Sequence, residues 1–243
     1  SDGLGYKRLQ NPELFEAWET AKKAGKARFF GCSGHDGDLM QVMNYALDTG
    51  KFDVMLCRYS FLDYPEQQEF IQKAKAQGAA VIAMKTLSGA KGADLRGFRS
   101  KMTTFKQAAL KWVLGNPDVS NLIISISSFA QVDEYVPASG KEMALADHAV
   151  LNEYAGLFSN EVCRFCNKCQ PACPSDVPVA DILRYSMYFH EYKQEGRGVR
   201  SYAKVSDAHN ASQCPTCPAP CVKECPYDLP IKALMMKAHR SLA

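Results

Sequence analysis

Apolar positions in the first 140 residues alternate between two periods. After Asn11, which stands where a helix cap belongs, and Pro12, Leu14, Ala17, Trp18 and Ala21 fall on one helical face, and Gly25 marks the stop. The period then shortens. Residues 26–33 form an apolar run of strand length, and 36–48 return to helical spacing through Leu39, Val42, Met43, Ala46 and Leu47, closed by Gly50. The unit recurs: 53–59, 79–85 and 121–127 read as strands, and 65–77 and 104–114 as helices. Ser128, with Gln131 three residues on, has the capping-box spacing and opens a further short helix. Apolar strands alternating with amphipathic helices predict an α/β architecture with a parallel sheet.

The pattern changes after a short break at 136–141. Residues 142–158 read as a helix through Met143, Ala146, Ala149, Val150, Tyr154, Leu157 and Phe158. Beyond it lies an internal repeat: Cys173-Pro-Ser-Asp-Val-Pro178 parallels Cys225-Pro-Tyr-Asp-Leu-Pro230, and each copy leads into a run with helical spacing. The aromatic-rich 180–192 is the first of these helices. The expected domains are 1–140 and 141–243, the second a duplicated loop-plus-helix unit.

Composition narrows the class. With 243 residues and 47% hydrophobic content the chain can bury a sizeable core and should be soluble and globular. A net charge of +3 gives no reason to expect a nucleic-acid partner. No apolar run approaches the roughly 18–20 residues of a membrane span, and residues 1–5 carry none of the regions of a signal peptide. The first residue is Ser1 rather than Met, so an upstream segment is expected to be missing.

The chemistry lies in the cysteines. Of ten, eight fall between 163 and 225, while Cys32 and Cys57 stand alone in apolar stretches. Clustered thiols in a core-rich chain read as metal ligands rather than a disulfide framework. Cys163, Cys166, Cys169 and Cys173-Pro174 have the C-x2-C-x2-C-x3-C-P spacing of the bacterial ferredoxin run. Cys214, Cys217, Cys221 and Cys225-Pro226 repeat it with one extra residue between the second and third cysteines. Two such runs predict two 4Fe-4S clusters. Two zinc sites are the competing reading, but zinc needs only paired cysteines and leaves the third Cys and the x3-C-P ending unexplained.

Two resemblances follow. The segments Gly25–Ser33, Val81–Leu87, Ala108–Trp112 and Ser125–Glu134 resemble, in order, signatures of the aldo/keto reductase family over roughly residues 7–137. This implies strands five to eight of a (β/α)8 TIM-type barrel, that is, a partial barrel. The resemblance puts Ser33 against the nicotinamide of NADP(H), and Ser127, Ser128 and Glu134 in the loop that holds the nucleotide phosphate. Lys85, at the end of its strand, joins this cofactor-binding set, and His35 reads as an ordinary loop histidine. Gly34, Met84 and Tyr135 depart from the family's usual residues. The family's Asp-Tyr-Lys-His catalytic set belongs to the first four strands, so no residue here inherits those roles.

The second region, with a helix after each motif, resembles an all-α ferredoxin-like iron–sulfur domain. In two-cluster ferredoxins the fourth Cys of each run serves the other cluster. That implies Cys163, Cys166, Cys169 and Cys225 for one cluster and Cys214, Cys217, Cys221 and Cys173 for the other. Together the resemblances imply an iron–sulfur oxidoreductase of aldo/keto reductase type, coupling an NADP(H) and carbonyl site to electron transfer. The reading from another class is a non-enzymatic electron-transfer subunit whose partial barrel is a docking scaffold. Expected partners are a redox protein or complex, and the missing barrel half or a second chain covering the open barrel. The expected location is the cytoplasm, or the periplasm after removal of a twin-arginine leader.

Overall fold

A computed structural model describes residues 4–34, 39–62, 65–87, 102–159 and 161–243. They divide into two compact units, Ser1–Thr86 with Ala109–Met143, and Leu87–Ala108 with Ala144–Ala243.

The first unit is built on a four-stranded parallel sheet in the order β1 (Gly31–Ser33), β2 (Val54–Arg58), β3 (Ala80–Met84) and β4 (Asn121–Leu122). Helices α1 (Leu4–Leu9), α2 (Pro12–Lys23), α3 (Leu39–Asp48), α4 (Pro65–Ala76), α5 (Phe105–Leu114) and α6 (Phe129–Tyr135) are interspersed along the chain. Chain order equals strand order, as successive crossovers of one hand produce. The central strands β2 and β3 are the best buried, and Met55, Cys57, Val81 and Ala83 are sealed into a core with Met43, Ala46, Phe70 and Ile71.

Asn11 caps α2 as expected, accepting from the Glu13 amide at 3.0 Å, and Gly25 takes a left-handed φ of 68° beyond its end. The helix nevertheless buries no residue fully. It is held by rings: Trp18 stacks on Phe30 at 4.7 Å, Phe30 on Phe52 at 4.5 Å, and Phe15 meets both edge-on.

Both outer strands are shorter than the apolar runs predict. β1 covers only the end of 26–33 and, among the described residues, pairs only with β2, from Gly31 opposite Val54. β4 covers only the start of 121–127 because its single partner gives out: β3 ends at Met84 and Lys85 turns to φ 57°, leaving one further bond, Ile123 N to Ala83 O at 2.8 Å. The expected start of α3 at Asp36, and His35, lie outside the described residues.

In the second unit α7 (Leu145–Phe158) starts where the Asp147 carboxylate accepts from the Ala144 amide at 2.8 Å. Its Tyr154 ring packs on Phe105 and Phe158. The remainder is α8 (Val179–His190), α9 (Glu195–Tyr202) and α10 (Ile231–Leu242), joined by loops and single 3-10 turns. Ile182, Ile231, Met235 and Leu242 form its core together with three buried cysteines, Cys169, Cys221 and Cys225. Helix α9 has no counterpart in the sequence reading, since EGRGVRSY contains two glycines and too few apolar residues to show a period.

Candidate metal centre

The two cysteine runs are loops with matching irregular backbones. Asp176 and Asp228, each three residues past the last Cys of its run, both take left-handed φ angles, 47° and 52°. Phe165, Asn167 and Ala219 do so between cysteines, at 58°, 56° and 58°. Such turns aim successive backbone N–H groups inward, as in an anion-binding nest. Three of these amides donate to sulfur: Phe165 N to Cys163 Sγ at 3.3 Å, Val177 N to Cys173 Sγ at 3.3 Å and Ala219 N to Cys217 Sγ at 3.4 Å.

Pro178 and Pro230 each occupy the cap position immediately before a helix, so α8 and α10 leave the two loops in the same way. Gln170 ties the first loop to its helix, accepting from Val179 N at 3.3 Å and donating to Asp176 at 2.8 Å.

This folding sorts the cysteines into two groups of four. Cys163, Cys166, Cys169 and Cys225 line one cavity of ≈ 330 Å³, open solvent at its mouth included. Cys173, Cys214, Cys217 and Cys221 line a second of ≈ 380 Å³, measured in the same way. Each cavity therefore takes three thiols from one run and one from the other. Val179 and Ile231, the first residues of α8 and α10, line both cavities and form their common wall.

Electrostatics agrees with this grouping. Burial pushes the Cys169 thiol up to about 12, helped by neighbouring Cys163, Cys166, Cys221 and Cys225. Cys214 is pushed up to about 11 by burial and by Cys173, Cys221 and Cys217, against a lowering influence of Lys232. Cys221 is raised by burial, then by Cys173 and Cys217. Cys221, of the second set, thus also lies within electrostatic reach of Cys169. Thiols this crowded repel one another as thiolates and need bound cationic metal to ionise together.

The donor set fits iron–sulfur clusters. Neither cavity is lined by a described His, Asp or Glu. Among the described residues no three His, Cys, Asp or Glu side chains converge on a point where one metal ion would sit, so the four thiols of each set are spread around their cavity. Four thiols distributed around a volume match the four corners of a cubane rather than the single tetrahedral ion of a zinc site.

The barrel residues are dispersed along the sheet. Ser33 is exposed at the end of β1, and Lys85 is half-buried just past β3 with its left-handed backbone. Ser127 and Ser128 adjoin α6, where the Gln131 side-chain carbonyl accepts from Ser127 N at 2.6 Å and the Ser128 hydroxyl accepts from Gln131 N at 3.4 Å. Glu134 lies half-buried within α6. Thr86, within the Val81–Leu87 segment of the resemblance, is buried, and its hydroxyl finds no hydrogen-bond partner among the described residues.

Comparison with known proteins matches each unit separately. Residues 7–93 match the aldo/keto reductase family, and residues 162–229 match the 4Fe-4S dicluster domain. The L-galactose dehydrogenase of Arabidopsis thaliana is 26% identical over 148 residues, 52% of this chain and 46% of that protein. Solved structures similar to this chain include an aldo-keto reductase from Bacillus halodurans in its holo form, 19% identical with a TM-score of 0.48, over 60% of this chain and 57% of that one. An aldo-keto reductase from Klebsiella pneumoniae in complex with NADPH is 22% identical with a TM-score of 0.47, over 60% and 54%. The chain spans about half the length of these relatives. It thus joins an aldo/keto reductase domain in its N-terminal region to a 4Fe-4S dicluster domain.

Proposed function

We propose that the protein is an iron–sulfur oxidoreductase in which a barrel site for NADP(H) and a carbonyl substrate exchanges electrons with two 4Fe-4S clusters. The observation that carries this reading is the sorting of eight cysteines into two adjoining sets of four on a chain that also has an aldo/keto reductase domain. Cys163, Cys166, Cys169 and Cys225 would hold one cluster and Cys173, Cys214, Cys217 and Cys221 the other. When bound, such clusters accept and pass on single electrons. The chain's own part is to fix the thiols, to direct the amides of Phe165, Val177 and Ala219 at sulfur, and to keep water out with Val179 and Ile231. Those amides favour the ionised thiolate.

On the barrel side, the four strands are assigned as strands five to eight of a (β/α)8 barrel. Ser33, Lys85, Ser127, Ser128 and Glu134 would then bind NADP(H). In a parallel sheet of this order β1 and β4 lie three strand spacings apart, roughly 14 Å. That separation suits an extended dinucleotide rather than a compact ligand. The catalytic set would come from the remaining half of the barrel, which would also cover the open sheet edges.

Anaerobically purified protein should be brown, absorb near 400 nm and carry about eight irons per chain. Equimolar zinc without iron would end the cluster reading. Adding NADPH to the chain joined to its complementary barrel half should quench protein fluorescence in a saturable way. The engagement of Ser127 and Ser128 in the cap of α6 favours the second reading, an electron carrier with a scaffold barrel, and a flat titration would establish it.

A further inference from the structure

The two metal sites are related by an internal repeat, yet the cation lining each is of a different kind and differently buried. Arg164, between Cys163 and Cys166, is only 8% exposed. Its guanidinium donates to the carbonyl oxygens of Ser159 and, at 2.6 Å, of Val162. It also lies over the Tyr227 ring, 4.5 Å from the centroid. Arg164 comes from the first run and Tyr227 from the second, two residues past Cys225, and both line the cavity of Cys163, Cys166, Cys169 and Cys225. The pair thus fixes a desolvated cation at the place where the two runs meet.

Among the described residues lining the second site there is no such pair. At the positions that follow Cys214 and Cys173 in the same way stand Pro215 and Ser175. Its cation is Lys232, which donates from Nζ to the Cys217 carbonyl at 2.8 Å and is half-buried, so water screens it more than Arg164. A guanidinium also keeps its charge at every working pH.

We propose that Arg164, held by Tyr227, tunes the first site so that the cluster bound by Cys163, Cys166, Cys169 and Cys225 is the more easily reduced of the two. Adding an electron increases negative charge at the site, and a fixed buried cation stabilises that state more than a hydrated one does. Electrons entering the pair then come to rest at the first site, with the Val179 and Ile231 wall as the boundary they cross. This inference rests on the two-cluster reading proposed above.

The test is a potentiometric titration of the iron-loaded protein followed by electron paramagnetic resonance. Iron and sulfide analysis comes first, and fewer than two clusters per chain would overturn the cluster reading rather than the role of Arg164. Two midpoint potentials are expected in the unmodified protein. Arg164→Gln should lower the higher one and leave the lower in place, while Arg164→Lys should stay nearer the original value. Lys232→Gln should move only the lower potential. If Arg164→Gln shifts neither potential, shifts both equally or shifts only the lower, the proposal is overturned. Should that variant fail to retain the first cluster, Tyr227→Leu decides: it keeps the charge but admits water, and an unchanged higher potential would refute the tuning role.

Discussion

Gly198 shows how closely single residues are set in the cluster unit. A Cβ there would lie 2.8 Å from the Tyr185 carbonyl oxygen, 3.1 Å from Phe189 Cβ and 3.2 Å from Leu242 Cδ2, so three helices meet at its Cα. Alanine would gain about 1 kcal/mol of helix propensity, but overpacking against backbone costs about 1–3 kcal/mol. Gly198→Ala should therefore lower the unfolding temperature of the holo protein. At Gly196 the nearest atom is the mobile end of Arg200, 3.0 Å away, and Gly196→Ala should raise it. Equal effects from the two substitutions would contradict the packing described. His190 makes a second residue-scale case. Burial, then Lys237 and Lys193, hold its pKa below the ordinary value of 6.5, and its Nε2 meets Ser241 Oγ at 3.1 Å, with Glu191 as its chain neighbour. Folding favours the neutral ring, so its contribution to stability is present above pH 6.5 and lost as pH falls through the depressed value. Lys237→Gln should move the imidazole titration measured by NMR upward, and an unmoved titration would rule out Lys237 as a cause. The Asn11 cap and the Gly25 stop could be read from sequence because their chemistry is local. The role of Gly198 could not, since its three neighbours come from other turns and helices.

Helices α8 and α10 depend on the loops that precede them. Each begins on a residue that lines both cavities, and the buried cysteines belong to the same core as Ile182, Ile231 and Met235. If these thiolates hold metal as proposed, they are part of what the helices pack upon, and site assembly is coupled to folding. Oxidative removal of iron under a chelator should increase amide exchange in α8, α10 and the 3-10 turns Gln170–Ala172 and Pro220–Val222, while β2 and β3 keep their protection. Uniform loss of protection across the chain would contradict this independence. The repeat that creates the two helices was legible in the paired Cys-Pro-x-Asp-x-Pro motifs. The shortening of β4 was not, because the left-handed turn at Lys85 leaves no mark in an ordinary strand pattern.

For the molecule as a whole, the main consequence concerns the sheet edges. Beside β1, Phe29 is 64% exposed, and past β4 Ile123, Ile126 and Phe129 are 49%, 47% and 91% exposed. Among the described residues no further strand pairs with β1 or β4, and parallel edges flanked by apolar side chains invite pairing. The proposed cover is the complementary barrel half, or a second chain in its place. The 243-residue chain alone should bind a hydrophobic dye or self-associate, and adding the complementary half should suppress both. A monodisperse monomer that ignores the dye would show that the edges need no partner.

The sequence by itself determined the two periods of the α/β region, the internal repeat and the eight clustered cysteines, because hydrophobic spacing and metal-ligand chemistry are properties of short segments. It also carried the aldo/keto reductase and dicluster resemblances. The dicluster resemblance already implied that Cys173 goes with Cys214, Cys217 and Cys221 and Cys225 with the first run; only the tertiary structure decided that Val179 and Ile231 stand between the two sets and that Arg164 rests on Tyr227. Those relations join residues about fifty to sixty positions apart, and what brings them together is the packing of the two loop-and-helix copies on one core rather than any local preference of the chain.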